Sequence, residues 1–293
     1  FCYAHFENTI KNLNLQKGLL LIQRLKNAGI YKINFAGGEP FLNPNLGEYI
    51  KLSKSLGLKT SIITNAVHMT NRWINEYGHY VDQIGISCDS LSDKVNRDLG
   101  RGFGQHVPIT IRAIERIHAF NKNNNDNNNL NDNNQHKIQI KLNSVIMKPN
   151  LNEDWNDFII KNKIKRWKIF KILKIEGENE KEYDKLAISD EEFNLFIQRH
   201  SQFLPKNQNN TNHNKNNHDN DNDIHHDIVM APENNDDMTE SYIMITPDGK
   251  FYQNTQGKYH YSSSILDIGV EEGLKQAGFD YDKFQKRGGE YVL

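Results

Sequence analysis

The chain has 293 residues, with 36 Lys and Arg against 37 Asp and Glu, so its net charge of −1 gives no reason to expect direct nucleic-acid or membrane-surface binding. Two cysteines cannot build a disulfide framework, and no apolar run approaches the roughly 18 residues that span a bilayer. We therefore expect reduced thiols and a cytoplasmic protein, with any membrane association carried by a segment upstream of residue 1.

Leu15, Leu19, Ile22 and Leu25 keep helical spacing, and Gly29 sits where a helix C-terminus needs a glycine. "YKINFAGGEP" (31–40) is a short strand running into a Gly-rich turn. A helix near Leu46 to Leu56 leads to the strand "KTSIITN" (59–65), and one near Asn71 to Gly78 leads to "DQIGISCDS" (82–90). A helix from about Val107 to Phe120 precedes an Asn-rich tract, Asn121 to Gln135, after which "KIQIKLNSVI" (137–146) resumes as a strand. Trp155 to Ile160 reads as a helix, and "KRWKIFKILKI" (165–175) as a strand. "SDEEFNLFIQRH" (189–200) begins with an N-cap serine and an acidic first turn.

A second tract, Lys206 to Asp223, is also too polar to bury a core. It and its flank hold His213, His218, His225 and His226, whose irregular spacing argues against a metal site. Both tracts read as insertions into surface loops, where added length costs little closure entropy. "SYIMITPDGKFYQNT" (241–255) reads as a hairpin turning at Pro247-Asp248-Gly249, and "SILDIGVEEGLKQAG" (264–278) as a late helix. The organisation is a βα repeat with about six parallel strands, an α/β barrel, followed by a hairpin and helix extension. We divide it into a core over 1–200 interrupted at 121–135, an Asn/His-rich loop insertion over 201–239, and an extension over 240–293.

Side chains alternate across a strand. Lys32 and Asn34 share one face of the first strand, Lys141 and Asn143 one face of the fourth, and Arg166 and Lys168 one face of the fifth. Ser87 and Asp89 oppose Ile84, Ile86 and Cys88. With the apolar faces against helices, the polar ones line the barrel lumen. Buried cations need partners. Any single lysine reads better as an edge position or an internal salt bridge than as a ligand contact. The set across several strands favours a polyanionic ligand, with phosphates the natural choice. Cys88 reads as a small buried thiol, and Trp73, Trp155 and Trp167 as core or helix-packing residues.

Gly37-Gly38-Glu39-Pro40 directly after the first strand, with Phe1-Cys2 upstream, resembles the radical S-adenosylmethionine (SAM) superfamily, which carries Cys-x3-Cys-x-aromatic-Cys and a later GGE motif. Within it, "KINFAGGEPFL", "ISCDS", "GRGFG", "KLNSVI", "RWKIFKILKIEGEN", "SILDIGVEE" and "KRGGEYV" resemble the viperin family and cover most of the chain outside the tracts. The resemblance implies a partial (βα)6 TIM-like barrel, a [4Fe-4S] cluster and SAM. It also implies formation of a 5′-deoxyadenosyl radical that takes the ribose 4′-hydrogen of CTP, giving 3′-deoxy-3′,4′-didehydro-CTP, an antiviral chain terminator. An external electron donor and the iron–sulfur assembly machinery are the implied partners.

Roles follow by matched position. Cys2 resembles the third cluster ligand, and the other two are expected upstream of residue 1, so this chain is expected to be inactive alone. Phe1, Gly37, Gly38, Glu39, Pro40, Asn65, Ser87 and Arg101 resemble SAM contacts. Lys32, Asn34, Lys141, Asn143, Arg166, Lys168 and Lys258 resemble substrate contacts, and Tyr242 a tyrosine that returns a proton or hydrogen atom. Ala36 stands where vertebrate relatives carry Ser, "TNAV" (64–67) replaces an Asn-Gly turn, and "NTQGKYHY" (254–261) is a late loop less basic than the family's. The cations read phosphate and not base, so UTP or another nucleotide stays open as substrate, as does a cluster-less nucleotide-binding scaffold.

Overall fold

The computed structural model describes residues 12–126, 136–177, 179–205, 228–238, 240–255 and 257–286. Six parallel strands form one sheet in chain order: β1 (Lys32–Phe35), β2 (Lys59–Thr64), β3 (Gln83–Ser87), β4 (Gln139–Ile146), β5 (Arg166–Lys171) and β6 (Val229–Glu233). Helix α1 (Leu15–Asn27) precedes β1, and the crossovers carry helices α2 (Leu46–Ser55), α3 (Asn71–Tyr77), α4 (Asp93–Asp98), α5 (His106–Asp126), α6 (Asn156–Lys161), α7 (Glu180–Leu186) and α8 (Asp190–Arg199). This is a partial barrel of βα units. Local sequence starts and stops the helices as expected. The Asn14 side chain accepts from Lys17 N at 2.9 Å to open α1, and Ser189 and Glu192 form a reciprocal capping box on α8.

The main core lies between the sheet and its helices. Ile62, Ile84, Ile86, Leu142, Trp167 and Ile169 are fully buried and pack with Ile50, Ile74, Ile114, Ile117 and Phe196. Each such side chain contributes about 1.5–3 kcal/mol by leaving water. The Trp155 and Trp167 rings pack at a tilt with centroids 5.5 Å apart within this layer, and Trp73 meets Phe41 edge-on at 4.8 Å. Cys88 is buried on the same side, and burial pushes its thiol up to about 12, which leaves it inert.

After a short helix α9 (Asn235–Met238), a second sheet is antiparallel: β7 (Met244–Ile245), β8 (Lys250–Thr255) and β9 (Lys258–Ser264). It is followed by α10 (Ile265–Ile268), α11 (Val270–Ala277) and α12 (Tyr281–Lys286). Phe251, Ile265, Val270 and Ala277 join Leu21 and Leu25 of α1 in a separate small core. The Arg24 guanidinium reinforces that junction by donating to the Ile265 and Leu266 carbonyls.

Four expectations change. The sixth strand lies within 201–239, so that stretch is not all loop. "IVMAPE" is short but apolar enough to pair with β5. Helix α5 runs six residues into the Asn tract, through Asp126, because the Asn121 amide brackets the backbone of Ile138 with two hydrogen bonds of 2.9 Å. The late loop is largely strand β9, where Tyr252 and Tyr261 pair across the ladder. The late helix breaks at Gly269, whose φ of 86° lies in the left-handed region. The remaining tract residues, with His213, His218, His225 and His226, lie outside the described residues.

Candidate active site

The register places the polar face of each strand on the lumen. Asn34 lies opposite Ser61, Ser61 opposite Gln83, and Gln83 opposite Gln139. One step toward the strand C-termini, Gly85, Lys141, Arg166 and Val229 lie side by side, and above them Ser87, Asn143, Lys168 and Ala231. Two contacts fix the orientation. Ser61 Oγ donates to Asn34 Oδ1 at 2.6 Å, and a Cβ on Gly85 would come within 2.9 Å of Lys141 Cε and 3.2 Å of Asn143 Nδ2. Gly85 is thus the gap that seats those two side chains. The sequence offered that signal as a glycine inside a strand.

The lumen is strongly cationic. Lys141 is 4% exposed, and its ammonium makes no hydrogen bond or ion pair among the described residues. Its ammonium is held well below its ordinary range by burial first, then by the charges of Lys168, Lys32 and Arg166, with Glu233 opposing. Burial, with Arg166 adding, brings Lys32 down to about 8. The Oδ1 of Asn143 is buried without a hydrogen-bond partner among the described residues.

Lys168 sits at one wall of this chamber. Its ammonium pairs with Glu233 Oε1 at 2.5 Å and donates to the Tyr242 hydroxyl, which in turn donates to Glu233 Oε2. Lys168 is also 4.9 Å from the Tyr242 ring centroid. Lys168 and Tyr242 were expected here. Glu233 was not, because it ends a strand whose position the surrounding Asn-rich sequence hid. Its carboxylate pairs with the Lys168 ammonium, and its charge opposes the cations around Lys141.

At the C-terminal ends of β1 and β2, Gly37 has φ 126°, and neither Gly37 nor Gly38 would bring a Cβ within 4 Å of any atom. Pro40 starts a short 3-10 turn behind them. Glu39 is held from both sides. Its Oε1 accepts from Thr64 Oγ1 at 2.7 Å and Phe41 N at 3.2 Å, and its Oε2 from Asn65 N at 2.9 Å. The altered "TNAV" turn thus still orients Glu39, through the Asn65 backbone and the Thr64 hydroxyl.

Ser87 ends β3 nearby, where its carbonyl meets His106 Nε2 at 2.7 Å. Burial lowers the His106 pKa, and the neutral ring donates to that carbonyl. Arg101, between α4 and α5, is ion-paired with the fully buried Asp89. Asp89 in turn accepts from Val145 N at 2.9 Å, so the guanidinium is anchored to β4.

Lys258 does not join the buried cations. Its side chain is 61% exposed, and its ammonium pairs with Glu176 at 3.0 Å at the tip of the β8–β9 hairpin. Phe1 and Cys2 lie outside the described residues. Among the described residues, no group of three or more His, Cys, Asp or Glu is arranged to hold a metal ion, and no helix is long and apolar enough to cross a membrane.

Comparison with known proteins adds four findings. The family model of the radical SAM superfamily matches residues 1–130. A protein of Flammeovirga pacifica called S-adenosylmethionine-dependent nucleotide dehydratase is 34% identical over 298 residues, spanning 99% of this chain and 90% of its own. The nucleotide dehydratase RSAD2 of Oncorhynchus mykiss is 33% identical over 302 residues, spanning 100% of this chain and 76% of its own. The solved structure of native anSMEcpe with bound AdoMet superposes with a TM-score of 0.60 at 14% identity, over 97% of this chain and 77% of that one. At that identity the likeness bears on the fold alone.

Proposed function

This chain belongs to the radical SAM superfamily, among its viperin-like SAM-dependent nucleotide dehydratases, and on that premise we propose that it converts CTP to 3′-deoxy-3′,4′-didehydro-CTP. The observation that carries the reading is Lys141. It is a buried ammonium ringed by three further cations, with the Glu233 carboxylate opposing their effect on it. Cations are not gathered in a low-dielectric lumen unless a multiply charged anion compensates them. A triphosphate supplies that charge, with Lys32, Lys141, Arg166 and Lys168 as its clamp and Asn34 and Asn143 as neutral hydrogen-bonding neighbours.

The family implies an iron–sulfur cluster and SAM. The open Gly37–Gly38 segment and the doubly held Glu39 carboxylate fit SAM, because a ligand can approach that backbone closely and its ammonium can meet an oriented acceptor. Ser87 and Arg101 border the same end of the sheet and suit the ribose and carboxylate of SAM. Pro40 and Asn65 hold the turn. Cys2 is the proposed cluster ligand and Phe1 its aromatic neighbour. When bound, cluster and SAM supply the one-electron chemistry that activates an unreactive ribose C–H bond.

The chain's own residues do the rest. The clamp fixes the phosphates, which leaves the ribose facing the Gly37–Gly38 end. Tyr242 holds its phenolic proton between Lys168 and Glu233, so it can hand that proton on late in the reaction while the Lys168 ammonium stabilises the phenolate left behind. An external electron donor and iron–sulfur assembly factors are the partners this chemistry requires. The test is 5′-deoxyadenosine formation by the cluster-reconstituted enzyme with SAM, reductant and each nucleoside triphosphate in turn. CTP should stimulate it most; stimulation by UTP alone would contradict the assignment.

A further inference from the structure

Beneath the cation layer the lumen holds a buried amide with nothing to bind. Gln83, the first residue of β3, is 0% exposed, and neither its Nε2 nor its Oε1 has a hydrogen-bond partner among the described residues. Its register opposite Ser61 and Gln139 puts it on the lumen face, two residues before Gly85 and so roughly 7 Å deeper along the strand. Native interiors rarely leave both ends of an amide unmet, because each lost hydrogen bond to water goes uncompensated. The helix-facing alternative is closed to it, since Ile84 and Ile86 occupy that face.

We infer that Gln83 contacts the terminal phosphate of the bound nucleotide and sets the preference for a triphosphate over a diphosphate. The inference rests on the reading of the lumen as a triphosphate clamp. In that reading the ribose faces the Gly37–Gly38 end, so the phosphate chain runs toward the strand N-termini and its last member lies deepest. Lys32, whose charge interacts with Arg166 and with Asp82 just before β3, marks that depth as cationic. A neutral amide suits the position. It donates to a phosphate oxygen through Nε2 and accepts from an ammonium through Oε1, without adding a fifth positive charge to a group that already repels itself.

The test is isothermal titration of the reconstituted protein with CTP and with CDP, for the wild type, Gln83→Leu and Gln83→Glu. Leucine removes both polar atoms. The expected result is a loss of roughly 10- to 100-fold in CTP affinity with CDP affinity within about twofold of wild type. Glutamate adds a carboxylate among cations, so that variant should melt higher than wild type in the absence of nucleotide, yet lose CTP binding. It thereby separates a lost contact from a lost fold. Equal losses for CTP and CDP, or no loss for either, overturn the role of Gln83 while leaving the clamp in place. Failure of the wild type to bind either nucleotide overturns the clamp itself, and this inference with it.

Discussion

The two faces of the barrel sheet are equally buried and chemically opposite. On β4, Ile140 and Leu142 face the helices at 3% and 0% exposure, while Lys141 and Asn143 face the lumen at 4% and 7%. The first pair is surrounded by Ile, Phe and Trp side chains. The second sits among cations and unpartnered amide oxygens. Burial therefore means two things within one strand. One face is dry because it is full, and the other is sheltered yet charged, as the proposed phosphate clamp requires.

Substituting each face in turn sharpens the difference. Lys168→Ala should lower CTP-dependent SAM cleavage roughly 100-fold or more, the scale of losing one member of a buried charge pair, while SAM affinity changes little. Leu142→Ala should do the reverse, costing roughly 2–5 kcal/mol of stability with CTP affinity kept. Steady-state kinetics and SAM titration for the first, and chemical denaturation with CTP titration for the second, check the pair. Equal loss of CTP and SAM binding in Lys168→Ala would mean that the lumen face is fold and not site.

Much of this contrast was legible in the sequence, because alternation is a backbone property that needs no tertiary knowledge. Lys32 with Asn34, Lys141 with Asn143 and Arg166 with Lys168 could be assigned to a common face from spacing alone, and the register agrees. The glycine pair and its acidic neighbour also announced themselves. Glu233 did not, since a five-residue strand next to Asn and His repeats carries little periodicity. Gln83 was hidden differently, as one polar residue opening an otherwise apolar strand. Lys258 stands apart, since basic character in the late hairpin says nothing about depth, and there its exposed ammonium pairs with Glu176.

The lowered lysines give a smaller and subtler effect. A lysine whose folded pKa lies below its ordinary 10.5 costs stability in full below the folded value, and the cost fades as pH rises toward 10.5. For Lys32 the window runs from about 8 to 10.5, so the nucleotide-free protein should gain stability across it. A bound triphosphate restores the charged form. Binding CTP at pH 8 should therefore take up protons, about half of one from Lys32 alone. Titrations in buffers of different ionisation enthalpy measure this directly. Net proton release would place the triphosphate elsewhere.

Lys141 offers the most direct test of the central claim, that the lumen cations are buried for a ligand and not for the fold. Thermal melts of wild type and Lys141→Met, each with and without saturating CTP, put both halves of the claim in one measurement. Methionine fills the same volume without a charge, so the nucleotide-free variant should melt higher than wild type by about 2 °C or more. The rise that CTP gives the wild type should be largely lost. A variant that melts lower than wild type and keeps its full CTP-induced rise would contradict the account.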